Sequence, residues 1–428
     1  MEGGFFSAMN KPNKFDKPFK TYDEMIDILI SRNLIINDKD YAKKLLSDYS
    51  YYSLINGFKG TLLQKNNSDE FITGLELQDI YFLNKLDINL NNLLFKYILL
   101  IERSLKSKLS YLIASNWGVF TNLDDKGNRD SSDYLCRIHY STSRPSKRND
   151  ILYKIKCSAD EYKDNPIIHH YLNTKNHMPP WILITVLSFG LVKEWYNILK
   201  SDDKDIICNQ FILLALPMED KKEFFIKSLN YLKEYRNKIA HGNRTFSITG
   251  LPELPKNAAL KLSYGAITED EYNRGIGRVD FFSIFLIIFS LINDKFLIND
   301  FYNDLDWCLG PFRENIFAGK GLYDTIGLPS DFDKKIRILY NNKIDSLTAN
   351  MSFLQAAATC ESDNSELLIS QNTIPESSET AWVTITGSKY HRVGHCRFLH
   401  SHNPVQIPLD SAIALGYQRC TKCFNPQL

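Results

Sequence analysis

The stretch that decides the fold of this protein is Leu83–Leu112, LNKLDINLNNLLFKYILLIERSLKSKLSYL. Its apolar residues recur at intervals of three or four, which places them along one face of an α-helix. They are Leu83, Leu86, Leu90, Leu93, Tyr97, Ile101, Leu105, Leu109 and Leu112. The pattern predicts one long amphipathic helix, and its apolar face requires other elements to cover it.

Three more helices are predicted to provide that cover. Trp181–Leu199 follows two prolines, and Phe281–Ile292 is almost entirely apolar but too short to cross a bilayer, which takes about 20 residues. The third predicted helix has its apolar face from Phe225 to Ile239. It should end near Gly242, because glycine accepts the left-handed backbone that closes many helices. No strand-rich block precedes residue 380, so the main body is predicted to be a mainly α helical bundle.

Composition narrows the class of protein. The 428 residues include 51 basic and 50 acidic side chains, 44% hydrophobic residues and 24% charged residues. These proportions exclude a largely disordered, collagen-like or membrane-embedded protein. A total charge near zero argues at first against a nucleic-acid partner, since such proteins are often strongly basic. No signal-like apolar run is visible and most cysteines are scattered, so a reduced, cytoplasmic protein is expected.

Composition also divides the chain into three segments. Residues 17–345 carry the helical patterns, residues 346–381 are rich in serine and glutamate, and residues 382–428 combine Cys, His, Gly and Pro. We interpret them as a helical domain, a linker and a small module. The module contains five basic residues and one acidic residue. The near-zero total therefore conceals a basic module, which suits nucleic-acid binding.

The segment 235–244, YRNKIAHGNR, contains the first candidate site. Asn237 and His241 are four residues apart and share a helix face, so the amide can hydrogen-bond the imidazole and fix its tautomer. Arg236 lies about 140° from His241 around a straight helix. One interpretation of this segment is purely structural: basic residues in the last turn of a helix are common, because they complement the helix dipole.

The functional interpretation of this segment is RNA cleavage. His241 can remove the proton of a ribose 2′-hydroxyl or protonate the leaving 5′-oxygen, while Arg236 holds the phosphate. The 2′-hydroxyl is then the nucleophile, so the reaction needs no metal and does not cut DNA. One histidine cannot readily be both acid and base in one step, and a homodimer with two such helix ends face to face would supply a second.

Several segments resemble, in the same order, those of the Abi-like abortive-infection family of the AbiD/AbiF kind. They are residues 17–22 (KPFKTY), 51–57 (YYSLING), 80–87 (IYFLNKLD), 101–108 (IERSLKSK), 180–181 (PW) and 188–190 (SFG). The segment from Arg236 to His241 resembles the R-x4-6-H signature of HEPN ribonucleases, although Gly242 stands where members often have a second histidine. The resemblance covers about residues 17–300.

The resemblance implies a HEPN-like helical bundle and a metal-independent endoribonuclease toxin of a phage-defence system. Arg236, Asn237 and His241 would be its catalytic residues, RNA its substrate and, as in some relatives, a small RNA its antitoxin. One alternative is a non-catalytic protein that holds a structured small RNA. Another is a toxin that a protein neutralises by docking on the C-terminal module.

Basic residues near the site are candidates for further RNA contacts. They are Arg103, Lys106, Lys108 and Arg244. Glu102 can orient Arg236, or it can form an ordinary ion pair with Lys106 four residues on. Three histidines in a second region, His169, His170 and His177, have no Cys or carboxylate spacing beside them. We therefore predict a surface loop there that touches RNA rather than a metal site.

Metal-ligand spacing occurs in the C-terminal module. Cys420 and Cys423 can present two thiolates to one ion, and His391 and Cys396 can complete a tetrahedral Zn²⁺ site. Four protein ligands leave no open position, so the metal would be structural and would compensate for a small core. The segment resembles Ada-type and nuclease-associated zinc modules, with one extra residue between His391 and Cys396. His395 is therefore an alternative ligand of this zinc-bound α+β module.

Overall fold

The computed structural model describes residues 17–58, 62–64, 69–366, 380–384, 389–392, 404–414 and 417–424. The chain is mainly α-helical over these residues, as predicted. The helices are α1 Tyr22–Ser31, α2 Lys39–Tyr49, α3 Tyr51–Leu54, α4 Leu77–Trp117, α5 Pro145–Glu161, α6 Pro166–Thr174, α7 Pro180–Leu183, α8 Phe189–Asn197, α9 Ser201–Phe211, α10 Met218–Ala240, α11 Lys256–Leu262, α12 Glu269–Asn273, α13 Phe282–Leu291, α14 Lys295–Leu309, α15 Leu322–Thr325, α16 Phe332–Glu366, α17 Leu409–Ala414 and α18 Thr421–Phe424.

Short strands and 3₁₀ turns complete the described residues. The strands are β1 Ile316–Phe317, β2 Lys320–Gly321, β3 Thr380–Val383, β4 Lys389–Tyr390, β5 Val405–Pro408 and β6 Gln418–Arg419. The 3₁₀ turns are Asn56–Phe58, Arg137–His139, Ile184–Val186, Thr245–Ser247 and Gly310–Phe312. In the described part of the chain, no helix is both long and apolar enough to cross a membrane.

The chain forms two compact units. One contains residues 1–89 and 311–325, and the other contains residues 90–310 and 326–428. In the first unit, α1 begins with a capping box in which the Glu24 amide donates to Thr21 Oγ1 and the Thr21 amide donates to Glu24 Oε2. This unit also holds the β1–β2 hairpin, which is antiparallel.

The core of the second unit is built around the apolar helix α13. All ten of its residues are buried, as expected for a helix that is hydrophobic all round. Phe301 of α14 lies 4.6 Å from the ring of Tyr97 and 5.2 Å from that of Phe289, centroid to centroid. Phe285 in turn packs on Phe332 of α16 at 5.1 Å. The predicted stripe of α4 is buried as well, which confirms the long amphipathic helix.

Three predictions about elements differ from the structure. The segment predicted as one helix over Trp181–Leu199 is α7, a 3₁₀ turn and α8, because Ser188 caps a new helix by accepting a hydrogen bond from the Leu191 amide. His169 and His170, predicted in a loop, lie in α6. Helix α16 continues to Glu366, beyond residue 345, where the linker was predicted to begin.

The C-terminal residues combine strands and helices around a very small core. Strands β3 and β5 pair antiparallel, and β4 and β6 pair parallel. Among the described residues the buried apolar cluster is Ala381, Val383, Ile407 and Ala412, and four partly buried residues pack on it: Tyr390, Val405, Leu409 and Tyr417. A cluster of this size contributes little folding free energy by itself.

Candidate functional site

The last turn of α10 is held by α4. The side-chain amide of Asn91 donates to the Ile239 carbonyl at 3.5 Å, and the guanidinium of Arg236 lies 5.9 Å from the centre of the Phe95 ring. Asn91 and Phe95 are four residues apart and therefore share one face of α4. The last turn of α10 thus rests on a fixed support.

Arg236 is held from two directions. Its Nη1 donates to Asn237 Oδ1 at 3.3 Å, and its Cζ lies over the Phe95 ring. Its Nε is buried and has no hydrogen-bond partner among the described residues. A buried guanidinium nitrogen without an acceptor is unfavourable, so the described residues leave Arg236 with one unmet hydrogen bond.

His241 ends the helix and is exposed. Its backbone amide donates to the Asn237 carbonyl at 3.1 Å. The described part of the chain offers its ring no hydrogen bond, and the amide–imidazole bond predicted from the spacing is not formed, because Asn237 Oδ1 accepts from Arg236 instead. Gly242 follows with φ of +80°, and the Asn243 amide donates to the Lys238 carbonyl. The helix therefore ends where it was predicted to end, with the imidazole in solvent.

The predicted RNA contacts lie in different environments. Arg103 is exposed. Lys106 forms an ion pair of 3.1 Å with Glu102, the ordinary i,i+4 pair, and this pair leaves Glu102 Oε2 buried without a partner. Lys108 lies 5.3 Å from the Phe211 ring centre, and burial lowers its pKa. Arg244 is half-buried beside the 3₁₀ turn after α10. Only Arg103 is fully available to a phosphate.

A second site lies in the C-terminal residues. The ligand atoms of His391, Cys420 and Cys423 all lie within 4.8 Å of one another, and Cys423 Sγ is 3.6 Å from His391 Nδ1. A tetrahedral Zn²⁺ ion with ordinary bond lengths separates nitrogen and sulfur ligands by about 3.6 Å. The donor set therefore fits a metal ion.

Backbone pairing brings the three ligands together. His391 and Trp382 exchange two backbone hydrogen bonds, and the Cys420 amide donates to the Tyr390 carbonyl at 3.0 Å. The Arg392 amide donates to Cys423 Sγ at 3.3 Å, a contact that stabilises a thiolate. The predicted ligand Cys396 and the alternative His395 lie outside the described residues.

Sequence reasoning did not single out Asn91 and Phe95. Both lie within the stripe of α4, one turn apart, beside residues interpreted as core. A polar residue and a ring on the same edge of an apolar stripe are a weak signal, because many core helices have such a pair.

These features define a helical protein with a basic, histidine-bearing helix end and a separate Cys/His cluster. Residues 44–247, a little under half of the chain, match the family model described as Abi-like protein. This match supports the Abi-like family and, with it, an association with abortive infection. No curated protein and no solved structure matches the chain.

Proposed function

We propose that the protein is a metal-independent endoribonuclease and acts as a toxin in phage defence. His241 transfers the proton of the ribose 2′-hydroxyl or of the leaving oxygen, Arg236 binds the phosphate, and Asn237 positions Arg236. The observation that carries the proposal is the half-buried guanidinium of Arg236, held by Asn237 and lying over Phe95, close in sequence to the exposed His241. A phosphate bound at the accessible part of the Arg236 guanidinium would present its neighbouring ribose to the end of α10.

The chemistry follows from these two groups. A half-buried guanidinium over the Phe95 ring is only partly solvated, which strengthens its attraction for a phosphate oxygen. An exposed imidazole is free to approach the substrate and can carry a proton to or from it. A homodimer would bring a second imidazole for the opposite proton transfer, and a small RNA antitoxin would restrain cleavage in uninfected cells.

The test uses end-labelled RNA in the presence of EDTA with wild-type protein, His241→Ala and the control Tyr162→Ala. Tyr162 is also exposed but lies just after the end of α5. We expect wild type and control to cut RNA and leave 2′,3′-cyclic phosphate ends, and His241→Ala to lose at least about a hundredfold in rate. A substrate with 2′-deoxyribose at the cut position should resist.

Two results would contradict this function. Equal cleavage by His241→Ala would remove His241 from the reaction. Tight RNA binding with no cleavage by wild type would instead support the non-catalytic alternative, a protein that holds a structured small RNA.

For the C-terminal residues we propose that the bound metal is structural Zn²⁺, with Cys396 as the fourth ligand of His391, Cys420 and Cys423. Two thiolates and one imidazole are ligands that zinc favours. The small core supports this proposal, because metal binding would supply folding free energy that its apolar side chains do not.

A further inference from the structure

A cavity of about 230 Å³ opens in the second unit, far along the chain from His241. One wall is the loop after α4, and the other is the end of α6 with the segment that follows it. The lining includes Phe120, Thr121, Tyr171, Lys175, His177 and Met178. Its volume is below the range of about 300–1,000 Å³ that is usual for drug-sized ligands, so it suits one small ring system.

Aromatic rings stand on both walls. Phe120 of the first wall is 41% exposed, and Tyr171 of the second wall is half-buried. The exposed Lys175 lines the cavity as well. Thr121 is only 6% exposed and its hydroxyl is buried, so Thr121 forms part of the wall and does not reach a ligand.

The two walls are tied together by Tyr134. Its backbone amide donates to the Phe120 carbonyl at 3.0 Å, and its hydroxyl donates to the Met178 carbonyl at 2.9 Å. Tyr134 itself is fully buried. The position of Thr121 between these anchors is therefore fixed before any ligand arrives, which lowers the entropy lost on binding.

A buried ion pair supports the same wall. Lys156 Nζ lies 2.6 Å from Asp133 Oδ2 and donates to the carbonyls of Asn122 and Asp125, both at 2.9 Å. The Asn122 amide donates to Asp133 Oδ2 at 3.1 Å. Both charged side chains are completely buried. A loop held by so many buried polar bonds is rigid, as a binding site requires.

We propose that this cavity binds one nucleobase of a single-stranded RNA, and the proposal rests on the proposed ribonuclease function. Phe120, whose side chain is 41% exposed, and the half-buried Tyr171 offer ring faces on which a base can stack. The exposed Lys175 contacts the adjacent phosphate. Stacking platforms beside a cation are the usual means of holding single strands.

Binding is measured in the cleavage-deficient His241→Ala background, by fluorescence anisotropy of a labelled ten-nucleotide RNA of mixed sequence. We expect Tyr171→Ala to weaken binding about tenfold through lost stacking. Lys175→Ala, which removes an exposed cation at the cavity, should weaken it about threefold. The control Tyr162→Ala removes an exposed tyrosine outside the cavity and should bind as the background protein does. Circular dichroism checks that each variant folds.

A second measurement separates this proposal from the function on which it rests. Uridine and adenosine 5′-monophosphates are titrated into the same protein, with binding followed by calorimetry. Mononucleotide binding that Tyr171→Ala abolishes supports the cavity, even if wild type cuts no RNA. If wild type cuts RNA and both cavity variants bind RNA and mononucleotides as the background protein does, the cavity proposal is wrong. The proposed ribonuclease function would then still stand.

Discussion

The guanidinium of Arg236 has one hydrogen bond to Asn237 Oδ1, the face of Phe95 on one side, and no partner at its Nε. Each of these contacts limits where the side chain can point. The aromatic face also excludes water, so an anion at Arg236 would meet a charge that is only partly screened. We infer that Phe95 positions the arginine without touching RNA.

Replacing Phe95 by leucine tests this role. Leucine keeps most of the apolar volume but removes the ring, so we expect kcat for RNA cleavage to fall about five- to tenfold, as expected for a cation–π contact of about 1 kcal/mol. KM should change less than kcat, because the residue acts on the geometry of the phosphate in the transition state. Arg236→Lys is the matched comparison and should lose more, since lysine cannot form the fork-shaped contact. Wild-type kcat in Phe95→Leu would exclude the role.

Asp280 gives a pH-dependent contribution to folding. Burial raises its pKa to about 6, against the lowering effect of hydrogen bonds from the Gly277 amide and the Ser283 hydroxyl. A raised folded-state pKa means that its contribution to stability is complete below about pH 4 and is lost as the pH rises through about 6. Asparagine can accept the same two bonds without a charge.

We therefore expect Asp280→Asn to become more stable relative to wild type as the pH rises. The difference in free energy of unfolding should shift by about 1 kcal/mol between pH 5 and pH 8. Urea unfolding at several pH values measures it. A difference that stays constant over this range would show that the carboxyl group does not titrate as described.

The sequence predicted correctly the helices whose apolar pattern and end signals lie within the helix or directly beside it. The stripe from Leu83 to Leu112 lies inside α4, and the predicted stop at Gly242 coincides with the end of α10. The break inside Trp181–Leu199 was missed because apolar residues continue at helical spacing through it. Helix α6 was predicted as a loop, although Asn165 is a typical N-cap residue and Pro166 a typical first helical residue. The interpretation of this segment was based on its three histidines and not on these two residues.

The end of α10 depends on Gly242. Its φ of +80° places it in the left-handed region, and a Cβ built there meets no atom within 4 Å. Gly242→Ala should therefore be destabilised by backbone strain alone, by about 1 kcal/mol. The control is Gly190→Ala in α8, where a Cβ meets only ordinary contacts and alanine should not destabilise. Equal unfolding midpoints for Gly242→Ala and wild type in urea would refute this account of the cap.

At the scale of the whole molecule, sequence reasoning identified sites whose residues are close along the chain, such as Arg236, Asn237 and His241. The cavity that Thr121 lines was not predicted, because its walls come from residues about fifty positions apart and are joined by the hydrogen bonds of Tyr134. The Cys/His cluster was predicted in part, since the Cys-x2-Cys spacing is local. The approach of His391 to that pair depends on strand pairing.

The described C-terminal residues should fold only with their metal. Their core consists of four buried apolar side chains and four partly buried ones packed on them, which offsets little of the entropy of ordering the strands. In the full chain, we expect about one equivalent of zinc in fresh protein. A strong chelator should raise amide hydrogen exchange over residues 380–424 and leave α4 and α13 protected.

Cys423→Ser should reproduce that exchange pattern without chelator, whereas Cys208→Ser, which removes a buried cysteine elsewhere, should keep its zinc. Less than half an equivalent of zinc in wild type, or unchanged exchange after chelation, would contradict the metal-dependent fold.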